Sequence, residues 1–422
     1  MVEIWVPYGD TEVCLTVSLE NLLGIVNPKP RPKTPETLEE IDRALENPLG
    51  ASKLREIVKP NHKVAIAIDK SLGKLVNIIL PKIFTELKQG GIENSNISVF
   101  IGSKKGELLP FEKLEEILPK IPSGTRIKFH DPYQTEELVE VGSTGSKTKV
   151  FLNKDFFQAD IKILMGKLGL HGYAGFSGGP QTILTVSGIK TIHQNYNLSI
   201  NPKARVGILE ENPVHKDLKE ITKLCNIDFV MDVFVENGEL VKAFSGNLEE
   251  TFAEGVNYVK SVYEVEVESK ADIVVASPGG TPFDSTLYDA QETIEHALKI
   301  VRDDGAVVLA AQCSEGYGDQ KFYRLMAEVD SIDQLKSIMK KEYIPVSHKI
   351  FQLMDTLQRF RVILVSALPN TIATGVFRFK TAKCMEEAIE TALRFMGKKS
   401  KILVLPYAMK TLPVLRPKNN ST

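Results

Sequence analysis

The stretch IKILMGKLGLHGYAGFSGGPQTIL, residues 161–184, joins two apolar runs through a segment that is rich in glycine and holds one histidine. Residues 161–165 have the short apolar character of a buried strand, and Pro180 suits the first turn of a following helix. A glycine-rich junction of strand and helix presents backbone N–H groups, which bind phosphate or carboxylate together with the helix dipole. The sequence therefore predicts an anion site on residues 177–179, with His171 beside the anion.

Strand-like and helix-like segments alternate before this junction. An apolar run ends at Asp69, a helical pattern follows it until two glycines stop it, and a second apolar run ends shortly before Lys104. The predicted elements are strands over 64–68 and 97–101 and helices over 75–89 and 111–118. This alternation predicts an α/β fold with mostly parallel sheets, in which ligands collect beyond the carboxyl ends of the strands. Because Asp69, Lys104 and His171 each follow such an end, we expect them to share a site.

The length of 422 residues predicts more than one hydrophobic core. A charged, alternating connector over 262–270 precedes a new apolar strand with its own glycine-rich exit, Ser-Pro-Gly-Gly at 277–280. A helix over 286–301 and a strand over 306–311 then repeat the β-α-β plan. We therefore predict an N-terminal domain of residues 1–265 and a C-terminal domain of residues 266–422. An active-site cleft is expected between them, where both glycine-rich exits would lie.

Charge and composition exclude several classes of protein. The formal net charge of −2 provides no field for nucleic acid, and no apolar run approaches the ~18 residues of a membrane span. The opening residues do not resemble a signal peptide. The four cysteines are far apart and lack metal-ligand spacing, so we expect reduced thiols in a cytoplasmic protein. The sequence does not predict the oligomeric state.

The segment Gly175–Gly179 also matches the G-x-S-x-G pattern of a hydrolase nucleophile elbow. That elbow requires the serine directly after its strand, whereas the apolar run ends near Gly166, eleven residues before Ser177. We therefore interpret the Ser177 hydroxyl as a phosphate ligand beside the amides of Gly178 and Gly179. A glycine-rich turn without any ligand remains an alternative.

The pattern His-x-x-x-Gly-Phe-Ser-Gly-Gly at residues 171–179 resembles the signature of the lactate racemase family, nickel-dependent 2-hydroxyacid racemases that use a nickel pincer nucleotide. Further fragments that resemble the family occur in its order along nearly the whole chain, among them Asn47-Pro48-Leu49-Gly50, Asp69-Lys70-Ser71, Asn212-Pro213-Val214, Ser277-Pro278-Gly279-Gly280 and Cys313-Ser314-Glu315-Gly316. The resemblance implies an isomerase that racemises or epimerises a small 2-hydroxyacid. It also implies contacts to the cofactor from Asp69, Ser71, Ser177, Gly178, Gly179, Gln181 and Tyr288.

Several positions depart from the family's pattern, and they fall on its chemistry. Gln181 replaces the lysine that is joined covalently to the cofactor, and Tyr196 replaces a nickel-binding histidine. Phenol suits nickel less well than imidazole does, and His193 could replace it as a ligand if the segment is helical. Of the two acid/base histidines only His171 remains, and Lys104 lies in the segment of the other, where it could be an opposing base or a carboxylate clamp. At two further positions the chain departs from the family's pattern: Leu72 replaces an arginine and Glu292 replaces a lysine.

Two classes of function therefore remain open. The first is an isomerase of small 2-hydroxyacids that uses the nickel pincer nucleotide or a noncovalently held relative of it. The second is a paralogue without nickel chemistry. This paralogue would be a cofactor-free isomerase or lyase that uses His171 with Lys104, or a metabolite-binding protein without turnover.

Overall fold

A computed structural model describes residues 1–102 and 121–416. Lys104 and the helix predicted over 111–118 lie outside the described residues. In chain order the strands are β1 Val2–Tyr8, β2 Thr11–Val17, β3 Leu22–Ile25, β4 Val64–Ile68, β5 Ile97–Gly102, β6 Arg126–His130, β7 Leu138–Ser143, β8 Lys149–Asn153, β9 Ile161–His171, β10 Gly175–Ser177, β11 Phe229–Glu236, β12 Glu239–Gly246, β13 Glu264–Val267, β14 Ala271–Ala276, β15 Val301–Ala310, β16 Arg361–Val365, β17 Lys380–Ala382, β18 Ile402–Leu405 and β19 Leu412–Leu415.

The α-helices of the described residues, numbered along the chain, are α1 Thr37–Glu46, α2 Leu54–Ile57, α3 Val76–Gln89, α4 Lys154–Phe157, α5 Ile189–Asn197, α6 Pro213–Cys225, α7 Leu248–Tyr263, α8 Leu287–Ala290, α9 Glu292–Ala297, α10 Gln320–Glu328, α11 Ile332–Lys341, α12 Ser347–Arg359, α13 Asn370–Ala373 and α14 Met385–Met396. A 3₁₀ helix, Gly179–Val186, follows β10. None of the described helices combines the length and the apolar character that crossing a membrane requires.

Two large sheets confirm the predicted α/β fold with mostly parallel strands. Within the described residues, one sheet has the order β12-β11-β9-β4-β5-β6, with β10 added to β9, and only the β11–β12 and β9–β10 pairs are antiparallel. The other sheet, β17-β16-β15-β14-β18-β3, is parallel throughout. The central strand β4 is buried along its whole length, since apolar clusters cover both faces of its sheet.

Contacts between residues divide the chain into two compact units, one of Pro32–Val259 and one that combines Met1–Arg31 with the residues from Lys260 onward. This division differs from the predicted domains at the start of the chain. The first strands belong with the second half because β3 pairs in parallel with β18, and because β1 and β2 contribute Ile4, Val6, Leu15 and Val17 to its core.

The second half also differs from the prediction in local structure. Residues 262–270 are not a connector, because α7 ends at Tyr263 and β13 follows it and pairs with β19. The helix predicted over 286–301 is divided into α8 and α9 and ends before Val301, which already pairs with Ala271 in the sheet.

Candidate functional site

The glycine-rich segment forms a β-hairpin that projects from the parallel sheet. Strand β9 continues past the predicted apolar run to His171, while its neighbour β4 ends where Ile68 pairs with Met165. Strand β10 then returns antiparallel to β9 and pairs Gly175 with His171. His171 therefore lies near the tip of a hairpin, beyond the carboxyl end of the adjacent strand.

Two features of the hairpin require glycine. Gly175 has a φ of +86°, and a Cβ atom at this position would lie 2.0 Å from the carbonyl oxygen of Ile208. Gly179 has a φ of +47°, and its Cβ would lie 2.4 Å from the ring of Phe252. The helix that follows is a 3₁₀ helix with Pro180 in its first turn, so the predicted helix start is correct although its geometry is tighter.

His171 is held by the backbone of its own hairpin. Its Nδ1 atom accepts hydrogen bonds from the N–H groups of Ala174 at 3.1 Å and Tyr173 at 3.4 Å. A neutral imidazole that accepts at Nδ1 carries its proton on Nε2. While these two bonds are intact, His171 can donate a hydrogen bond from Nε2, but it cannot act as the base that the family resemblance implies.

Aromatic contacts bring His171 close to Tyr196, the residue at the family's nickel-ligand position. The rings of His171 and Tyr173 meet edge to face at 4.5 Å between centroids, and the rings of Tyr173 and Tyr196 do the same at 5.5 Å. Tyr196 is buried on α5, and His193 lies one turn earlier on the same helix, so the segment is helical as the metal prediction required. Among the described residues no group of three or more histidine, cysteine, aspartate and glutamate side chains could hold a metal ion.

A buried acid that we did not select from the sequence lies under the hairpin. Asp232 of β11 is fully buried, and its Oδ2 atom accepts the N–H of Gly179 at 2.8 Å. Burial, against the opposing Gly179 N–H and with a smaller contribution from the charge of Asp69, raises the pKa of Asp232 to about 7. The sequence did offer a signal, because Asp232 is the one charged residue within the apolar run 229–235.

The sheet register aligns Asp232 with the predicted site residue Asp69. Asp232 of β11 pairs with Gly166 of β9. On the opposite side of β9, Ile68 of β4 pairs with Met165, so Asp69, the next residue, lies level with Gly166. An Oδ1 atom of Asp69 accepts the N–H of Ser71, and the Ser71 side chain is exposed. Asp69 and the glycine-rich segment therefore lie at the same edge of this sheet, and their sharing of a ligand site stays a prediction.

The predicted anion ligands have partners within the protein. Gly179, whose amide we assigned to a phosphate, donates to Asp232. The Ser177 hydroxyl group donates to the carbonyl of Lys167 at 2.9 Å, and the N–H of Gln181 donates to the carbonyl of Gly178 at 3.1 Å. The glycine-rich segment thus already holds a carboxyl group of its own chain, and binding of an external anion by it stays a prediction.

Tyr288, predicted to contact a cofactor, belongs to the other unit and has a lysine against its ring. The Lys349 ammonium group lies 3.8 Å from the ring centroid of Tyr288, donates to its carbonyl at 2.8 Å and forms an ion pair with Glu292 at 2.7 Å. Lys349 is buried, and no sequence pattern marked it as a site residue. Burial raises the pKa of Tyr288 to about 12, so its hydroxyl group stays protonated at neutral pH.

A buried acid, Asp284, also follows the Ser-Pro-Gly-Gly exit of β14. Asp284 accepts the N–H of Gly9 at 2.7 Å and the N–H of Gln312 at 3.1 Å through one carboxylate oxygen. Gly280 approaches this turn so closely that a Cβ atom would lie 2.5 Å from the carbonyl oxygen of Gly9. In each unit, therefore, a buried aspartate accepts hydrogen bonds from backbone N–H groups near the carboxyl ends of parallel strands.

Two family models match this chain. The model of the lactate racemase N-terminal domain matches residues 8–207, and the model of the lactate racemase C-terminal domain matches residues 266–412. The chain belongs to the lactate racemase family. It is 28% identical over 419 residues to a lactate racemase of Thermoanaerobacterium thermosaccharolyticum and 25% identical over 417 residues to one of Lactiplantibacillus plantarum, and each alignment covers 96% of this chain and 98% of the relative.

Solved structures agree with the family assignment. The lactate racemase apoprotein from Thermoanaerobacterium thermosaccharolyticum superimposes with a TM-score of 0.83 at 26% identity, over 98% of this chain and 100% of that chain. A Thermotoga maritima protein superimposes with a TM-score of 0.60 at 15% identity, over 92% of this chain and 100% of that chain, and this similarity concerns the fold alone.

Two alanine substitutions in the hairpin should have opposite outcomes. Gly175→Ala combines a positive φ with a clash against Ile208, so we expect a loss of at least about 2 kcal/mol and a fall in unfolding temperature of roughly 4–8 °C. Gly172→Ala meets no atom within 4 Å, and the φ of Gly172 is not in the left-handed region, so this matched control should unfold close to the wild type. Equal unfolding temperatures for the two variants would show that the close approach at Gly175 is not as described.

The raised pKa of Asp232 predicts how Asp232→Asn depends on pH. The carboxyl group titrates near 3.9 in the unfolded chain and at about 7 in the folded one. The neutral form therefore contributes stability that is complete below about pH 4 and is lost as the pH rises toward 7. Asparagine does not titrate, so the unfolding temperature of the variant minus that of the wild type should increase across this window, by the equivalent of a few kcal/mol. A difference that stays constant with pH would contradict the assignment.

Proposed function

We propose that this protein is an isomerase that inverts the hydroxyl-bearing carbon of a small 2-hydroxyacid. The observation that carries the proposal is His171, which two backbone N–H groups hold in one tautomer near the tip of the projecting hairpin. The relatives that align with nearly the whole chain are named lactate racemases, which supports a 2-hydroxyacid as the substrate class.

The residues in and after the hairpin do not fit a covalently held nickel pincer nucleotide. Gln181 lacks the amine that would form the covalent link, and Tyr196 offers a phenol that is packed against Tyr173. The Gly179 N–H, where a cofactor phosphate was expected, donates to the carboxyl group of Asp232. Transfer of the substrate hydrogen as hydride needs an electrophilic acceptor such as that cofactor.

Inversion by proton transfer requires two groups on opposite faces of the substrate carbon. A base removes the C2 proton, the electron pair passes into the carboxylate as an enediolate, and an acid returns a proton to the other face. Nε2–H of His171 donates a hydrogen bond that stabilises the charge on the enediolate oxygen, and water on the face opposite Lys104 returns the proton to C2. Lys104 is our proposal for the opposing base, and it lies outside the described residues.

The replaced residues also support a second candidate, a family member that binds a metabolite without turnover. The family's cofactor chemistry lacks three elements here: the covalent lysine, replaced by Gln181; the nickel-binding histidine, replaced by Tyr196; and the amide of Gly179, which donates to Asp232. The hairpin and the fold are retained. A protein that binds a metabolite without converting it needs only the retained hairpin and fold. Turnover assays therefore decide between the two candidates.

Isotope exchange separates the possible reactions. We expect purified protein, incubated in D₂O with single stereoisomers from a panel of 2-hydroxyacids that begins with D- and L-lactate, to form the opposite stereoisomer with deuterium at C2. Inversion with retention of the C2 protium would instead indicate hydride transfer and contradict the proton route. If no stereoisomer changes, with or without nickel and the pincer nucleotide, the binding protein is the correct assignment.

Replacement of His171 tests its role directly. His171→Gln should lower kcat by roughly 10²–10³-fold, the typical effect of disturbing one hydrogen-bond donor to a developing oxyanion, with little effect on the unfolding temperature. His62→Gln is a matched control, because His62 accepts a backbone N–H just as His171 does but precedes β4 at the opposite end of the sheet. Turnover that persists unchanged in His171→Gln would remove His171 from the mechanism.

Intact mass tests the missing covalent link. Wild-type protein that has been exposed to the pincer nucleotide should keep the mass of the bare chain, because no lysine stands at position 181. Gln181→Lys restores an amine at this position and serves as the comparison under the same conditions. A stable adduct on the wild type would contradict the noncovalent prediction.

A further inference from the structure

Asn212 is a fully buried residue that links the β9–β10 hairpin to helix α6. It is the N-cap of α6, where its Oδ1 atom accepts the N–H groups of Val214 at 3.0 Å and His215 at 3.4 Å. Its Nδ2 atom donates to the carbonyl of Tyr173 at 2.9 Å and to the carbonyl of Ile208 at 3.1 Å. These four partners fix the orientation of the side-chain amide, because exchanging its oxygen and nitrogen would set donor against donor and acceptor against acceptor.

The bond to Tyr173 determines the direction of the peptide group that follows. The carbonyl of Tyr173 and the N–H of Ala174 belong to one planar trans peptide, so they point in opposite directions. Asn212 holds the carbonyl on one side of this peptide, and the N–H on the other side donates to Nδ1 of His171 at 3.1 Å. The position of the Asn212 amide therefore decides whether the Ala174 N–H points at the imidazole ring.

The bond to Ile208 holds the loop that packs against the tip of the hairpin. The Ile208 carbonyl oxygen lies 2.0 Å from the point where a Cβ atom on Gly175 would be, and the N–H of Gly207 donates to the carbonyl of Gly175 at 3.0 Å. One nitrogen atom of Asn212 thus holds a carbonyl of this loop and a carbonyl of the hairpin. A rotation of the Tyr173 carbonyl would leave a hydrogen of this buried nitrogen without an acceptor, which is costly.

We propose that Asn212 is a positioning residue for His171, which keeps the imidazole in the tautomer that carries its proton on Nε2. Without the Asn212 donor, the Tyr173 carbonyl loses a bond that fixes its direction, and the Ala174 N–H is no longer held toward Nδ1. The ring can then carry its proton on either nitrogen. The Nε2 donor that the proposed reaction uses would be present only part of the time.

A role of Asn212 as a helix cap alone leads to a different expectation. Aspartate and serine cap helices about as well as asparagine does, so Asn212→Asp and Asn212→Ser both keep an acceptor for α6. At neutral pH the aspartate carboxylate has no hydrogen to donate to the Tyr173 carbonyl. Serine adds no charge, and its single hydroxyl group cannot donate to both the Tyr173 and Ile208 carbonyls. The two variants therefore remove the positioning bonds and retain the cap.

Nuclear magnetic resonance of the full-length chain with ¹⁵N-labelled histidine and alanine observes both ends of this arrangement. At about pH 8, where an ordinary imidazole is neutral, we expect wild-type His171 to show one tautomer with its proton on Nε2. The Ala174 amide should exchange slowly with D₂O. Asn212→Asp and Asn212→Ser should show both tautomers of His171, and the Ala174 amide should exchange at least about tenfold faster. The spectrum of His171→Gln assigns the His171 signals.

The inference rests on the proposed function only for its effect on turnover. Both Asn212 variants should have a kcat that is roughly 10–100-fold lower, the range found for hydrogen bonds that orient metal-binding histidines. KM should change little, because the Nε2 donor of His171 acts on charge that develops during the reaction.

Asn153→Ser is the matched control within the same unit. Asn153 caps α4 through two backbone N–H groups, and its Nδ2 atom lies 3.4 Å from Nδ1 of the buried His130. The substitution therefore removes the same kind of contact from a different histidine. It should leave the His171 tautomer, the exchange of the Ala174 amide and kcat unchanged.

Two results would overturn the inference: a wild-type His171 that already shows both tautomers, or a His171 tautomer and an Ala174 exchange rate that stay unchanged in Asn212→Asp. The second result, together with a lower unfolding temperature, would leave Asn212 as a helix cap only. If Asn212→Asp does not fold, the uncharged Asn212→Ser decides by the same criteria. Absence of isomerase activity together with the expected spectra would remove the proposed function and leave the positioning of His171 by Asn212 intact.

Discussion

The hydrogen bond from Gly179 to the buried carboxyl group of Asp232 ties the glycine-rich hairpin to the parallel sheet. It exists because the strand order β11-β9-β4 places Asp232 beside Gly166, the one position in that row without a side chain. A larger residue at 166 would occupy the place of the carboxyl group and force it away from the loop. The position of the hairpin, and with it the position of His171, therefore depends on an interior contact more than on the glycines alone.

The same contact changes how the glycine-rich segment should be understood. Glycine-rich turns at strand exits are usually explained by the close approach of an external anion. Here the carboxyl group of Asp232, from the same chain, accepts the Gly179 N–H in place of an external anion. In the other unit the Asp284 carboxyl group accepts the N–H groups of Gly9 and Gln312 in the same way. Buried acids thus satisfy backbone donors that loops at the carboxyl ends of strands leave unpaired.

Much of the fold could be predicted from the sequence because its signals are local. The apolar runs at 64–68 and 97–101 and the helical period that ends at Gln89 each reflect burial within one element, and they correspond to β4, β5 and α3. The grouping of Met1–Arg31 with the second half could not be predicted, since it depends on β3 pairing with a strand that follows it by almost four hundred residues. Long-range pairing leaves no periodic trace in either segment.

The site was predictable only in part for a similar reason. Asp69 and the glycine-rich segment were selected because strand ends of a parallel sheet meet at one edge, whereas the tautomer of His171 follows from two backbone N–H groups that only the hairpin geometry directs at Nδ1. Lys349 was missed because its relation to Tyr288 and Glu292 arises from α12, about sixty residues further along the chain.

Two of the replaced family residues, Glu292 and Tyr196, form contacts within this chain, which limits what a single reversion could restore. Glu292 stands where the family has a lysine, and its charge is balanced by the buried Lys349. A lysine at 292 would bring two ammonium groups together and remove the carboxylate that compensates the buried one. Tyr196 is similarly buried against Tyr173, so a histidine there would leave part of the space behind that ring unfilled. At Glu292 and Tyr196 the divergence is therefore a repacked arrangement, in which the replacing side chain has a structural role of its own.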